Sequence, residues 1–260
     1  MQAALTLCLA LTALVTLGAS LVSGAPDLIT DEVLAAPDWA HPLGTDSIGR
    51  DVLVRTLIGA RSSIAIALAA SALTLLFGTA VGVAAGCLGG VADFAGMRLV
   101  EMLMSVPPLL IAIAVLAAVG PSVPTLIAVL TLTYIPQTIR VVRASTLQIR
   151  GKGYVDAARI SRVSSLSIML THILPNIRGL LIVQASVSAA HMLLVETILS
   201  FLGLGVQPPV PSLGFMISEG RQWMEFAPWV VVGPGVMIVL AVATVTVLGQ
   251  ALDRALRIRR

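Results

Sequence analysis

Apolar and polar positions fall along this chain in long blocks. Six mostly apolar blocks occupy 3–22, 62–86, 99–119, 123–142, 179–200 and 230–249, separated by shorter polar stretches. As a helix rising 1.5 Å per residue, each is long enough to cross a hydrocarbon core about 30 Å thick. The pattern predicts an all-α membrane protein with six transmembrane helices. Through and just beyond the second block, Ala70, Thr74, Gly78, Gly82, Gly86 and Gly90 recur at every fourth residue. Small residues at that spacing predict a packing seam where another helix backbone comes close, in this chain or in a partner chain.

Polar and helix-breaking residues interrupt the later blocks. Pro107-Pro108, Pro136 and Pro234 each remove a backbone donor and bend a helix, which serves either a transport pathway or packing alone. Pro107 and Pro108 are candidate pathway positions. A carboxylate in lipid is costly and faces a partner or a water-filled cavity. Glu101, three residues from Arg98, suggests a local ion pair near the inner interface. Glu196 is a candidate structural or pathway residue near the outer end of span five.

Composition supports the membrane reading. The chain is 57% hydrophobic and 11% charged, with a mean hydropathy of +1.00, whereas a soluble domain carries about 25% charged residues. Ser23-Gly24-Ala25 looks like a cleavage site, but the apolar stretch before it is too long and lacks a basic n-region, so it is expected to stay as the first span. Cys8 and Cys87 lie in or beside apolar blocks and suggest neither a disulfide framework nor a metal cluster.

The basic residues set the orientation. With six spans and an inside N-terminus, Arg98, Arg140, Arg143, Arg150, Lys152, Arg159, Arg162, Arg178, Arg254, Arg257, Arg259 and Arg260 face the cytoplasm. Only Arg50, Arg55, Arg61 and Arg221 lie outside. Basic loops stay inside, so both termini are expected in the cytoplasm of a multi-pass plasma (inner) membrane protein. The sequence pI near 9.4 reflects this bias and points to no nucleic acid partner. The outer segment after span one is acidic and turn-rich. From Asp46 onward Ile48, Val52, Leu53 and Leu57 recur with helical spacing among Arg50, Arg55 and Arg61. They predict a short helix, either amphipathic at the membrane surface or a plain connector.

Between spans four and five lies a polar insert. After Gly153, the residues Tyr154, Ala157, Ala158 and Ser161 form one helical face with a single aromatic and three small side chains, and Arg159 and Arg162 lie off it. Ser164 and Ser165 can cap a second helix, with Leu166, Met169, Leu170 and Ile173 on its apolar side and Pro175 at its end. A small-residue face can sit deep in a groove on another protein. The insert reads as a docking element.

The stretch "YVDAARISRVSSLSIMLTHILPN" resembles the EAA loop of binding-protein-dependent ABC importer permeases. That pattern runs E-A-A, three residues, G, nine residues, I, one residue, L-P. Asp156 stands for the Glu, Ala157 and Ala158 match, and Leu174-Pro175 match. His172 takes the Ile place, similar to the H-I-L-P form of the peptide and nickel branch, and Arg162 departs from the family glycine. "HPLGTDSIGRDVLVRTLIGARSS" and "ETILSFLGLGVQPPVPSLGFMISEGR" resemble the segments before span two and after span five of the second, C-type permease subunit of dipeptide, oligopeptide and nickel importers. The likeness covers most of 39–253.

The resemblance implies a type I ABC importer permease fold: a first helix with its external segment over 1–61, a permease core over 62–253, and a coupling loop over 150–176. It implies a subunit that binds no cofactor itself. ATP and Mg would be bound by two separate ATPase subunits docked on the EAA loops, with a second permease completing a heterodimer and an external binding protein delivering substrate. No G-x-x-x-x-G-K-[ST] phosphate loop occurs in the chain. Tyr154, Asp156, Ala157, Ala158, Ser161, Arg162, Leu174 and Pro175 are the implied coupling residues, acting by alternating access. Peptide is the favoured substrate and nickel the alternative. An ion-driven secondary transporter would need an intramembrane relay, for which Glu101 and Glu196 are thin material. An intramembrane hydrolase would need more than His191, and no G-x-S-x-G elbow is present.

Overall fold

The computed structural model describes residues 28–258. The expected first span, 3–22, lies outside the described residues. Asp51 starts α1, Val52–Leu88, by accepting the Val54 N–H at Oδ1, 2.9 Å away. The expected short outer helix is not a separate element, because its apolar positions form the first turns of α1. Arg55, 3% exposed, points inward rather than to a membrane surface. Its guanidinium stands 3.3 Å from Glu219, and Arg50 bonds Asp46 at 2.7 Å. Arg50 also stands 3.6 Å from Glu219, which ties the chain before α1 to α7, Leu213–Gly220.

The third apolar block is broken. It forms α2, Gly90–Met104, and α3, Pro108–Val119, bent by 79°. Ser105 closes α2 by donating its hydroxyl to the Met102 carbonyl at 2.7 Å. Pro107, ahead of another proline, is extended at ψ 129°. Pro108 then opens α3, where a missing N–H costs nothing. With 12 residues, α3 is only about 18 Å long and crosses a bilayer only together with α2. By contrast, α4, Val123–Arg150, and α8, Trp229–Ile258, run on through Pro136 and Pro234.

The glycine register is an internal seam between α1 and α4. A methyl at Gly78 would stand 2.6 Å from Thr138 Cγ2, one at Gly82 2.9 Å from the Ile139 carbonyl, and one at Gly86 2.6 Å from Thr146 Cγ2. Further along, Thr74 and Thr131 hydroxyls reach the carbonyls of Thr131 and Ala70. Gly90 does not belong to the seam: nothing lies within 4 Å of where its Cβ would be. It has left α1 and begins α2 at φ +79°.

These pairings rise together in number, so α1 and α4 run in the same direction. Against them α6, Ser165–Phe201, is antiparallel to α8, with Gly249 on Ser186 and Gly179 on Asp253. The polar segments therefore sort to two ends. One end carries 150–164, and the other carries 28–51 and 202–228. The main core joins α1, α3, α4, α6 and α8 through Ile66, Ala112, Leu116, Leu130, Leu193 and Ala241.

Candidate functional site

The insert forms one compact unit. Its first helix, α5, Gly153–Ile160, stops in a Schellman turn. The N–H of Arg162 bonds the Arg159 carbonyl at 2.9 Å, and that of Val163 bonds the Ala158 carbonyl at 3.1 Å. Arg162 takes φ +58°, the left-handed geometry that a glycine adopts freely. An ordinary right-handed turn at Arg162 is thereby excluded. Ser164 then caps α6 by accepting the Ser167 N–H at 3.3 Å.

Pro175 does not end this second helix. Ile168–Ile173 widen into a π-helical turn, in which the Leu174 N–H bonds the Met169 carbonyl. The wider ring takes the chain past the point where Pro175 lacks a donor, and α6 continues to Phe201. Pro175 thus sits in the first turn of the long α-helical stretch Leu174–Phe201, and the polar insert feeds directly into a span.

The small-residue face also divides. Val155 is fully buried and Ala158 is 8% exposed, both packed with Val83, Val142, Ile168, Ile173 and Ile177. Tyr154, Asp156, Ala157, Ser161 and Arg162 are exposed, as is Pro175, and Leu174 is half-buried. Ala158 is therefore a correction to the expected docking face: its methyl anchors α5 to α1 and α4. On the outside the Tyr154 ring stacks on His172, 6.4 Å between centroids. Arg159 stands 3.8 Å from Asp156, within the same helix.

The candidate pathway residues do not meet. Pro107 and Pro108 form the break between α2 and α3. Glu196 is wholly buried in α6 and accepts the Ser200 hydroxyl at 2.7 Å. The close packing around it explains two nearby glycines, since a methyl at Gly205 would overlap Ser200 and one at Gly214 would overlap the Thr197 carbonyl. Arg98 and Glu101 do pair, at 3.0 Å, on an exposed face of α2. His191 lies 5.3 Å from the Tyr134 ring and His41 pairs with Asp51, so the three histidines belong to three separate places. An apolar groove of about 610 Å³ runs between α1, α6 and α8, lined by Leu68, Leu75, Met237, Leu240 and Leu248. Its walls suit a hydrocarbon surface better than a charged solute.

Hydropathy and motif spacing missed one set of residues at the loop end. Arg143 grips Asp93 of α2 with two bonds of 2.6 and 2.5 Å, and Arg150 donates to the Gly86 carbonyl at 3.0 Å. The signal was present as two arginines seven residues apart on α4 and a lone aspartate in the first turn of α2.

Comparison with known proteins agrees with this geometry. Residues 78–259 match the family described as binding-protein-dependent transport system inner membrane component. A putative peptide transport system permease protein of Brucella suis is 39% identical over 216 residues, 83% of this chain and 73% of that protein. The di/tripeptide transport system permease protein DppC of Pseudomonas aeruginosa is 36% identical, over 87% of this chain and 77% of its own. The oligopeptide transport system permease protein OppC of Haemophilus influenzae is 36% identical, over 85% and 72%. Among solved structures, an inward-facing form of the MetNI methionine ABC transporter superposes with a TM-score of 0.65 at 18% identity, over 78% of this chain and 95% of that one. With polar segments sorted to two ends, a compact polar unit between the fourth and fifth apolar blocks, and this family match over most of its length, the chain belongs to the inner membrane components of binding-protein-dependent transport systems.

Proposed function

We propose that this chain is the pore-forming permease subunit of an ATP-driven importer that carries di- or oligopeptides across the plasma membrane by alternating access. The observation that carries the reading is the loop at 150–176. It presents Tyr154, Ala157, Ser161 and Arg162 outward while Val155 and Ala158 bind it to α1 and α4. Such a unit transmits a push on its outer face into two spans at once. Two ATPase subunits, holding ATP and Mg, dock on this loop and on that of a second permease. The loop end faces the cytoplasm, in keeping with its arginines, and both termini lie on that side. An external binding protein lands on the opposite end, on 28–51 and 202–228. Peptide as the cargo rests on the names of the relatives.

The test is reconstitution in proteoliposomes with the neighbouring permease, both ATPases and the binding protein. Labelled dipeptide uptake is expected to require ATP and the binding protein. Uptake driven by an ion gradient without ATP would overturn the reading.

A further inference from the structure

At the loop end, α2 packs on α4 and, near the glycine pair, on α1. Among its described side chains only Val100 is buried, and the others are exposed or half-buried. Both of its ends are breaks in the helical path. Gly89 and Gly90 are consecutive left-handed residues, at φ +68° and +79°, and the other end is the 79° break before Pro107. A 15-residue rod joined this way can swing unless something ties it down.

The tie is Asp93. Its two carboxylate oxygens accept the Arg143 Nε and Nη2 in a bidentate pair, with side-chain exposures of 10% and 26%. Paired bonds of this kind fix direction as well as distance. Arg150, seven residues on and so on the same side of α4, bonds the Gly86 carbonyl and lies 3.0 Å from where a Gly89 methyl would be. It thereby braces the last turn of α1 just before the glycine pair. Arg150 is also the last residue of α4 and the first of the loop.

We propose that Arg143 and Asp93 form a coupling strut that carries movement of the 150–176 loop into the broken span α2–α3. The loop is fixed to the ends of α1 and α4 by Val83, Val142, Val155 and Ala158. A displacement of the loop moves the end of α4, Arg143 moves with it, and the bidentate pair drags Asp93 and the start of α2. The twin glycines let α2 turn without bending α1. Arg143 and Asp93 are positioning residues: they touch no substrate and act through α2.

The inference rests on the proposed transport function, and its experiment separates the two. In the reconstituted full assembly, spin labels at Gly96 on α2 and Arg140 on α4 report the distance between the helices with and without ATP, beside uptake and binding-protein-stimulated ATP hydrolysis. In Asp93→Asn, hydrolysis is expected to stay within about twofold while uptake falls about tenfold, the span of ordinary coupling between sites. The ATP-dependent distance change is expected to vanish. The exchanged pair Asp93→Arg with Arg143→Asp should recover both signals in part. Normal uptake per ATP in Asp93→Asn overturns the strut. So does equal loss of hydrolysis and uptake in Asp93→Asn that the exchanged pair fails to restore, because that is a merely structural clamp. A wild-type assembly without ATP-driven uptake would instead overturn the transport reading itself.

Discussion

The backbone N–H of Val163 reaches back 3.1 Å to the carbonyl of Ala158, around an Arg162 held at φ +58°. A side chain in left-handed geometry costs about 1 kcal/mol or more relative to glycine. The Schellman bonds and the packing of Val163 against the loop core offset that cost. Arg162→Gly is therefore expected to tighten the loop by about 1 kcal/mol. Slower hydrogen exchange over α5 would show it. Faster exchange, or lost ATPase association in a well-folded variant, would mean that the guanidinium itself holds the loop or the partner.

Ala157 and Ala158 should respond differently to the same change. Ala158 faces the apolar cluster of Val83, Val142 and Ile173, so Ala158→Glu buries an unpaired carboxylate and should unfold the loop. Ala157→Glu places the charge on the exposed side and should leave the loop folded while weakening ATPase binding. Limited proteolysis distinguishes the two, with early cleavage near 150–165 expected for Ala158→Glu alone. Equal protease resistance would contradict the inward position of Ala158.

At the α1–α4 seam, Gly82→Leu and Gly86→Leu force side chains into the Ile139 carbonyl and into Thr146. Overpacking of this kind costs about 1–3 kcal/mol, read as a lower melting temperature in detergent. Gly96→Leu, with nothing within 4 Å of the added Cβ, is the control and should melt as wild type. A seam variant as stable as the control would remove the close-packing account.

His41 gives the end that carries 28–51 a dependence on pH. Its Nδ1 lies 2.7 Å from Asp51 Oδ2, and Asp51 also caps α1. The hydrogen bond to Asp51 is the main cause that raises the His41 pKa above its usual value. Partial burial opposes this, and the charges of Asp51, Asp38 and Glu32 add to it. The charged imidazole is the better partner in the folded state. Its contribution is thus full below about pH 6.5, the unfolded value, and fades as pH rises through the higher folded value. Hydrogen-exchange protection in the first turn of α1, measured relative to the intrinsic rate at each pH, is expected to fall over that rise. His41→Gln should remove the pH dependence, and an unchanged profile in that variant would refute the assignment.

Much of this architecture could be read from single-residue patterns, and the rest depended on direction. The seam was legible because glycine every fourth residue has few other uses in a span, although Gly90 shares the spacing and leaves the helix. A bend at Pro107-Pro108 was legible, but not its angle, which the closing bond from Ser105 to Met102 helps to set. Ala157 and Ala158 look alike in a sequence, and only the packing of α5 on α1 and α4 separates them. The helix running through Pro175 was hidden because a π turn leaves no hydrophobic period. Arg55 looked like a surface residue because Glu219, which pairs with it, lies 164 positions away.

The break between α2 and α3 has a consequence for the bilayer itself. Alongside α4, α3 packs Leu116 against Leu126, Val129 and Leu130 near the start of that helix, so its Pro108 end stops well short of the loop end. Between the Ser105 N–H, which bonds the Met102 carbonyl, and the Pro107 carbonyl, which accepts the Leu110 N–H, the Val106 peptide groups stand outside either helical ladder within the span that α2 and α3 make together. Oil cannot solvate them, and lipid-exposed irregular backbone does not occur inside the hydrocarbon region. The wall of the membrane at this point must be something other than acyl chains: a column of water or the flank of another protein. A proline pair thus marks, from within the chain, where the oil stops.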